Sequence, residues 1–504
     1  MTGNIANPTK ITSILTAIRF SLVAAVVALC SFAAKSNAGV SNSALYPTPN
    51  DLSMRSHEVR ATVDGQEAFV FALMHKGITY RSIPNVSSDF LSFEFRNGPV
   101  QVRIFYNFTT IYSAKVYTHG RVVQSSHDSN SITFIIDNAG IYAVEVNGDV
   151  ESRGPVYVFA NRPEVAAPDS SSSDIVFKAG TITNAGVIHA DRPNQRIYIP
   201  GGAIVRGSIE VDHVAGVTIS GSGILLFDDE TASIAGINNY SPILAVDARN
   251  LRINGLVVVV APTSYSSGPG GSPVAPWAVH ILRSTEVTIN QLKVLNGLRD
   301  GIDIDGSDHV RVQNGLVQSH DDSLCIKSTN FGLEGGASHR SVADVTFRRM
   351  MIVNEGTGAA LQIGIELHAP EVTRISYRDI DILQAYGTHT AAISITNGDS
   401  ADVHNILYDN VRVLSRPGAL IRLTIVKDAY RPDQNRGKIR DIVFKNIQIK
   451  SRAVAPSAIV GFDAQHLVEN VRFDNFESEQ DFQTDRPANL TVRNAASLII
   501  KRKY

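Results

Sequence analysis

The sequence predicts an all-β protein: a right-handed parallel β-helix preceded by a small antiparallel β-sandwich. Three observations carry this. The chain of 504 residues is 43% hydrophobic and only 19% charged, with 37 glycines, a balance that suits turn-rich β structure and disfavours helical bundles. An apolar pattern with a two-residue break recurs through the larger C-terminal part. Short strand-like runs punctuated by turn residues fill the part before it.

Residues 1–38 read as a separate element. They hold Lys10, Arg19 and Lys35 but no Asp or Glu, and an uncharged run from Phe20 to Ala34 lies between the last two cations. Ser36-Asn37-Ala38 then offers small residues at a cleavage site, the layout of a secretory signal peptide. Cleavage there would take three of the 46 basic residues and none of the 48 acidic ones, leaving a net charge of −5. The expected destination is secretion or the periplasm, as a monomer, with no membrane contact once the signal is gone. The near balance of charge supplies no basic field for nucleic acid. Cys30 and Cys325 are too few for a disulfide scaffold or a multi-Cys zinc module, and no cofactor or metal is expected.

Residues 39–165 carry strand-like runs such as Phe90-Leu91-Ser92-Phe93-Glu94-Phe95 and Ser131-Ile132-Thr133-Phe134-Ile135-Ile136, separated by turn pairs such as Asp64-Gly65 and Asn97-Gly98. That spacing predicts the sandwich. Residues 166–174, rich in Ser, predict a linker. From 175 to 504 the unit is apolar-x-apolar-x-x-apolar-x-apolar. Leu251-x-Ile253-x-x-Leu256-x-Val258 shows it, with further copies at Val287, Val345, Ile375, Ile406 and Ile442, and weaker ones at Val217, Val310 and Val471. Strand, bend, strand at intervals of 23 to 36 residues predicts a solenoid whose coils share one core, nine of them by this pattern.

The narrowest interval holds a cluster of carboxylates. Asp300-Gly301-Ile302-Asp303 is followed, 21 residues after Asp300, by Asp321-Asp322-Ser323-Leu324-Cys325-Ile326-Lys327-Ser328. One short coil of that length places both segments on neighbouring coils about 4.8 Å apart. Crowded carboxylates raise one another's pKa, so one can stay protonated as an acid while another acts as a base, which is what hydrolysis of a glycosidic bond needs. Calcium ligation and simple Asp-Gly turn chemistry are the competing readings of the same residues.

These motifs resemble the Asn-Thr-Asp-Gly-Ile-Asp and Asp-Asp-Cys-Ile-Ala-Ile-Lys-Ser pattern of glycoside hydrolase family 28, the polygalacturonases and their relatives. Trp277-Ala278-Val279-His280 resembles the lead-in to that pattern, and the likeness covers residues 175–480. It implies an inverting mechanism with Asp321 as general acid and Asp300 and Asp322 holding the water; Asp303 is the alternate third acid. Two departures point away from an acidic sugar. The expected Gly-His-Gly is replaced by a stretch from Glu355 to Gly364 without His, and the expected Arg-Ile-Lys by Ser394-Ile395-Thr396. The layout is also similar to glycoside hydrolase family 49, of dextranase and isopullulanase type, which has a sandwich before its β-helix and a Gln-x-Gly segment like Gln362-Ile363-Gly364. The leading expectation is thus a secreted hydrolase of a neutral α-glucan. A pectin hydrolase is the first alternative, and a lyase or a non-catalytic binding β-helix the next.

His320, Lys327, Gln362, Glu366 and Trp277 are the candidate substrate-binding residues. Each has a plain alternative: a structural His, a surface Lys, solvated Gln and Glu, and a core Trp. Cys325 reads as a small buried hydrophobe.

Overall fold

A computed structural model describes residues 41–72, 89–148, 154–164, 174–228, 231, 241–261, 277–296, 299–329, 338–385, 391–415, 417–428, 433–450, 453, 455–478 and 490–501. The expected export signal at 1–38, nearly all of the expected linker, the Gly268-Pro269-Gly270-Gly271 loop and Pro276 lie outside the described residues.

From Ile175 to Lys501, 28 strands form one continuous parallel sheet wound into a right-handed β-helix. Alternation explains why each strand lies where it does. Ile302 and Ile304 enter the interior while Asp303 and Asp305 face out, and the same holds for Leu324 and Ile326 against Cys325 and Lys327. The two-residue break in the repeat is the bend. Its second residue takes a left-handed conformation in coil after coil, at Gln291, Asn314, Arg349, Asp379, Asn410, Asn446 and Asn475. Asn and Asp tolerate that conformation best because their short side chains bond locally. Here they also bond along the axis, as when Asn314 Nδ2 donates to Asn290 Oδ1 at 2.8 Å. In later coils the bend falls inside one long strand, such as Asp402–Val413.

The third position of the repeat stacks an aromatic column inside the coils. Phe347, Tyr377, Tyr408, Phe444 and Phe473 lie face to face, with centroids 4.8 to 5.0 Å apart, near the rung spacing that parallel pairing dictates. The column of rungs through these bends has twelve strands rather than nine coils, from Ile175–Val176 to Ala495–Lys501. Of the three outside the pattern, the first two carry Gly180 and Gly202 at its third apolar position, followed by Ile182 and Ile204. Ile197-x-Ile199 runs into Pro200-Gly201-Gly202, and the last coil ends the described chain.

Twelve strands before residue 165 make a seven-stranded and a five-stranded sheet around their own core, which includes Val102, Ile104, Phe134 and Val158. The strand Val156–Asn161 is buried on both sides. Val156, Val158 and Ala160 face that core, while Tyr157 and Phe159 face the solenoid, in a shared cluster with Val257, Val259, Leu295, Leu316, Met351 and Val353. Polar ties accompany this contact. Lys293 Nζ donates to Asn161 Oδ1 at 2.7 Å and to the Gly255 carbonyl at 2.8 Å, and burial pushes this lysine down to about 7. Gly120 N donates to Asp381 Oδ2 at 2.8 Å. Residues 42–504 accordingly form one compact unit. The carboxylates stand on a different face of the coil from the one covered by these sheets.

Candidate active site

The strands Val279–Leu282, Ile302–Asp305, Leu324–Ser328, Ala359–Leu367 and Ala391–Asn397 lie side by side. Their register makes one outward column of His280, Asp303, Cys325, Gln362 and Ser394. At its edge, Gly301 N donates to the Asp322 carbonyl at 2.8 Å. The spacing of 21 residues thus brings Asp300 beside Asp322, as one coil requires. Oxygens of Asp300 and Asp322 and the Cys325 sulfur all lie within 4.8 Å of one another.

Close packing fixes these segments. A side chain at Gly301 would meet Val317 Cγ1 at 2.3 Å and the Ser323 carbonyl at 2.5 Å. One at Gly358 would meet Asp322 N at 2.3 Å and Asp321 Oδ1 at 2.5 Å, so the next coil can cross the Asp pair only with glycine there. The turn itself is pinned by Asn354 Nδ2, which donates to the Asp321 carbonyl at 2.5 Å, and by Ser319 Oγ, which donates to the same carbonyl at 2.8 Å. Ala359 N donates to Asp322 Oδ1 at 2.8 Å.

Beneath the half-buried Asp321 and Asp322 is a dry layer of charge. Lys327, only 4% exposed, donates to Asp300 Oδ2 at 2.7 Å and lies 3.5 Å from Asp303 Oδ1 and 3.8 Å from Glu366 Oε2. Its ammonium also sits 4.2 Å from the centroid of the Trp277 ring, a cation–π contact. Burial opposes charge on Lys327, yet the surrounding groups, Asp300 foremost, hold its pKa well above the ordinary value. Burial pushes the Asp322 carboxyl well above the usual range, and the negative charges of Asp321 and Asp300 push it further. Asp303 is raised for the same reasons, burial first and then Asp300. Asp305 goes the other way. Burial would raise it, but His280 Nε2 at 3.2 Å and donors from Thr329 N and Oγ1 at 3.0 and 2.7 Å favour its charged form and lower its pKa.

The candidate residues therefore gather as follows. Asp300, Asp303, Asp321, Asp322, Lys327, Glu366 and Trp277 share one cluster. Lys327 is an internal charge rather than a surface lysine, and Trp277 is buried against it. His320 is buried directly before the Asp pair, its carbonyl accepting from Thr357 N at 2.8 Å. Gln362 is buried one rung beyond Cys325, and neither it nor Glu366 is solvated. Cys325 is buried, as expected, but it faces the cluster, its sulfur 3.8 Å from Asp322 Oδ2. A metal held by Asp300, Asp322 and Cys325 would have to share its space with the Lys327 ammonium, and burial keeps the thiol protonated by raising its pKa.

Sequence reasoning gave no role in the site to four residues. Glu355, 5% exposed, has its carboxyl pushed up to about 8 by burial, against the pull of Gln318 Nε2 donating at 2.6 Å. His280 and Asp305 were within reach of register arithmetic, because His280 stands three residues after Trp277 and Asp305 two after Asp303. Arg422 continues the outward column beyond Ser394, two coils past Gln362.

Solved structures resembling the chain are polysaccharide hydrolases built as β-helices. Dex49A from Penicillium minioluteum is 12% identical over 92% of this chain and 97% of that one, with a TM-score of 0.48. The family 28 exopolygalacturonase of Yersinia enterocolitica is 12% identical over 80% and 97%, with a TM-score of 0.45. A hyperthermoactive exopolygalacturonase from Thermotoga maritima is 13% identical over 66% and 85%, with a TM-score of 0.42. No family model matches the sequence, and no curated protein matches it.

Proposed function

We propose that this chain is an exported polysaccharide hydrolase that cleaves glycosidic bonds with inversion. The observation carrying the proposal is the meeting of Asp300 and Asp322 across adjacent coils, within 4.8 Å, beside Asp321. Asp321 protonates the leaving oxygen, while Asp300 and Asp322 together hold the attacking water, whose proton passes to Asp300. Their closeness suits two acceptors sharing one water on one side of the sugar. Lys327 supplies Asp300 with a cation at 2.7 Å in a dry pocket, where an unpaired carboxylate would be costly.

The substrate we favour is a neutral α-glucan. The rungs next to the cluster offer Gln362, Ser394 and Thr396, amide and hydroxyl groups that bond sugar hydroxyls. Arg422, farther along the same column, favours the second reading, an acidic glycan of pectin type. Reducing-end release from dextran, pullulan and polygalacturonate decides between them. Cleavage of dextran or pullulan alone supports the first, cleavage of polygalacturonate alone the second. Activity that survives unchanged in Asp321→Asn removes the site assignment altogether. Unsaturated products would instead identify a lyase.

A further inference from the structure

We propose that Asp303 is a positioning residue: it keeps its carboxyl proton and donates it to the Asp300 carboxylate, which is thereby held between one ammonium and one acid. The inference rests on the hydrolase reading and adds a fourth carboxyl group with a role distinct from the other three.

Access is the first argument. Asp303 stands mid-strand in the outward column, between His280 and Cys325, and is 0% exposed. It is the most deeply covered of the four carboxyl groups, beneath Asp300 at 2% and the half-open Asp321 and Asp322. Hydrogen bonding is the second. Apart from a side-chain hydrogen bond shared with Asp300, which needs a proton on one of the two acids, neither oxygen of Asp303 has a donor among the described residues, and its ion-pair contact with Lys327 Nζ, at 3.5 Å, is longer than that of Asp300 at 2.7 Å. A buried carboxylate left so poorly supported is expensive, while a neutral carboxylic acid beside a carboxylate supplies the missing donor.

Charge is the third argument. The groups facing Asp303 are Asp300 from the preceding turn, Asp322, Cys325 and Lys327 from the next coil, and His280 from the coil before. Lys327, the one ammonium facing it among the described residues, already serves Asp300 and lies near Glu366. Burial and the charge of Asp300 raise the Asp303 carboxyl well above the usual range, in the direction that keeps the proton. With Asp303 neutral, Asp300 has Lys327 on one oxygen and no competing charge at its back. With Asp303 ionised, the two carboxylates compete for one ammonium and Asp300 is free to turn.

Three variants test this: Asp303→Asn, which keeps a neutral donor, Asp303→Leu, which keeps bulk alone, and Asp300→Asn. Initial rates are measured from pH 4 to 9, together with denaturant unfolding at each pH. Asp303→Asn is expected to hold kcat within about tenfold of wild type and to extend activity at the alkaline end, whereas Asp303→Leu loses more than about 10²-fold. In unfolding, Asp303→Asn flattens the loss of stability with rising pH. Asp303→Asn as inactive as Asp300→Asn, or no better than Asp303→Leu, overturns the proposal. So does an unfolding profile whose pH slope matches wild type, and this arm stands even where Leu prevents folding or no substrate is cleaved. Failure of the hydrolase reading looks different: the wild type then cleaves no glycan, or Asp300→Asn and Asp321→Asn keep full activity.

Discussion

Lys327 Nζ lies 2.7 Å from Asp300 Oδ2, with both side chains almost wholly out of water. Such a pair is held by mutual need rather than by a large net gain, because each charge has lost its hydration. Lys327→Met leaves Asp300 alone in the pocket. The expected result is a stability loss of about 3–5 kcal/mol and a fall in kcat on the order of 10²-fold. Denaturant midpoints and initial rates check both. A variant of normal activity would take Lys327 out of the working site.

The two neighbouring acids can be told apart by leaving group. Asp321→Asn should lower kcat on a natural glycan by roughly 10²–10⁴, and an aryl glycoside whose leaving group needs no proton should recover most of that loss. Asp322→Asn, which removes a water acceptor, should be slow on both substrates. The opposite pattern would exchange the two roles.

Gly358 lets the next coil pass over the Asp pair. Gly358→Ala sets a methyl group 2.3 Å from Asp322 N and 2.5 Å from Asp321 Oδ1 in the present geometry, so the turn must shift. A displacement of about 1 Å is enough to cost on the order of 10² in rate. We expect a large drop in kcat with a smaller change in KM, measured on the same glycan.

Glu355 predicts the pH dependence of stability. Its folded pKa of about 8 lies far above that of an unfolded glutamate. The folded state therefore binds the extra proton between those two values. Its stabilising effect is complete below the unfolded value and is lost as pH rises through about 8. Glu355→Gln, which still accepts from Gln318, should behave like wild type near pH 4 and unfold later than wild type near pH 8. Thermal melts at the two pH values read this out, and equal melting points at the alkaline end would count against a buried, protonated Glu355.

The coil register was legible because alternation and the two-residue bend are written in the order of the residues. The spacing from Asp300 to Asp322 could therefore be turned into a contact. The inner layer was less so. That Lys327 is buried depends on Trp277 from one coil, Asp300 from another and Glu366 from a third converging on one ammonium, and no single segment carries that information. Glu355 and Arg422 look like surface residues until neighbouring coils stack against them. The docking of the first twelve strands was likewise invisible, since Tyr157 and Phe159 read as one side of a free sandwich strand. The first two coils were harder to see because Gly180 and Gly202 stand where the pattern has its third apolar residue.

The shared apolar cluster between the two regions sets how this protein can be cut. Deleting the first 164 residues would leave Val257, Val259, Leu295, Leu316, Met351 and Val353 as a greasy stripe along one side of the solenoid, the kind of surface that drives self-association. The buried ammonium of Lys293 would lose its acceptor Asn161 in the same stroke. The sheets that carry none of the proposed chemistry are thus a jacket over that stripe.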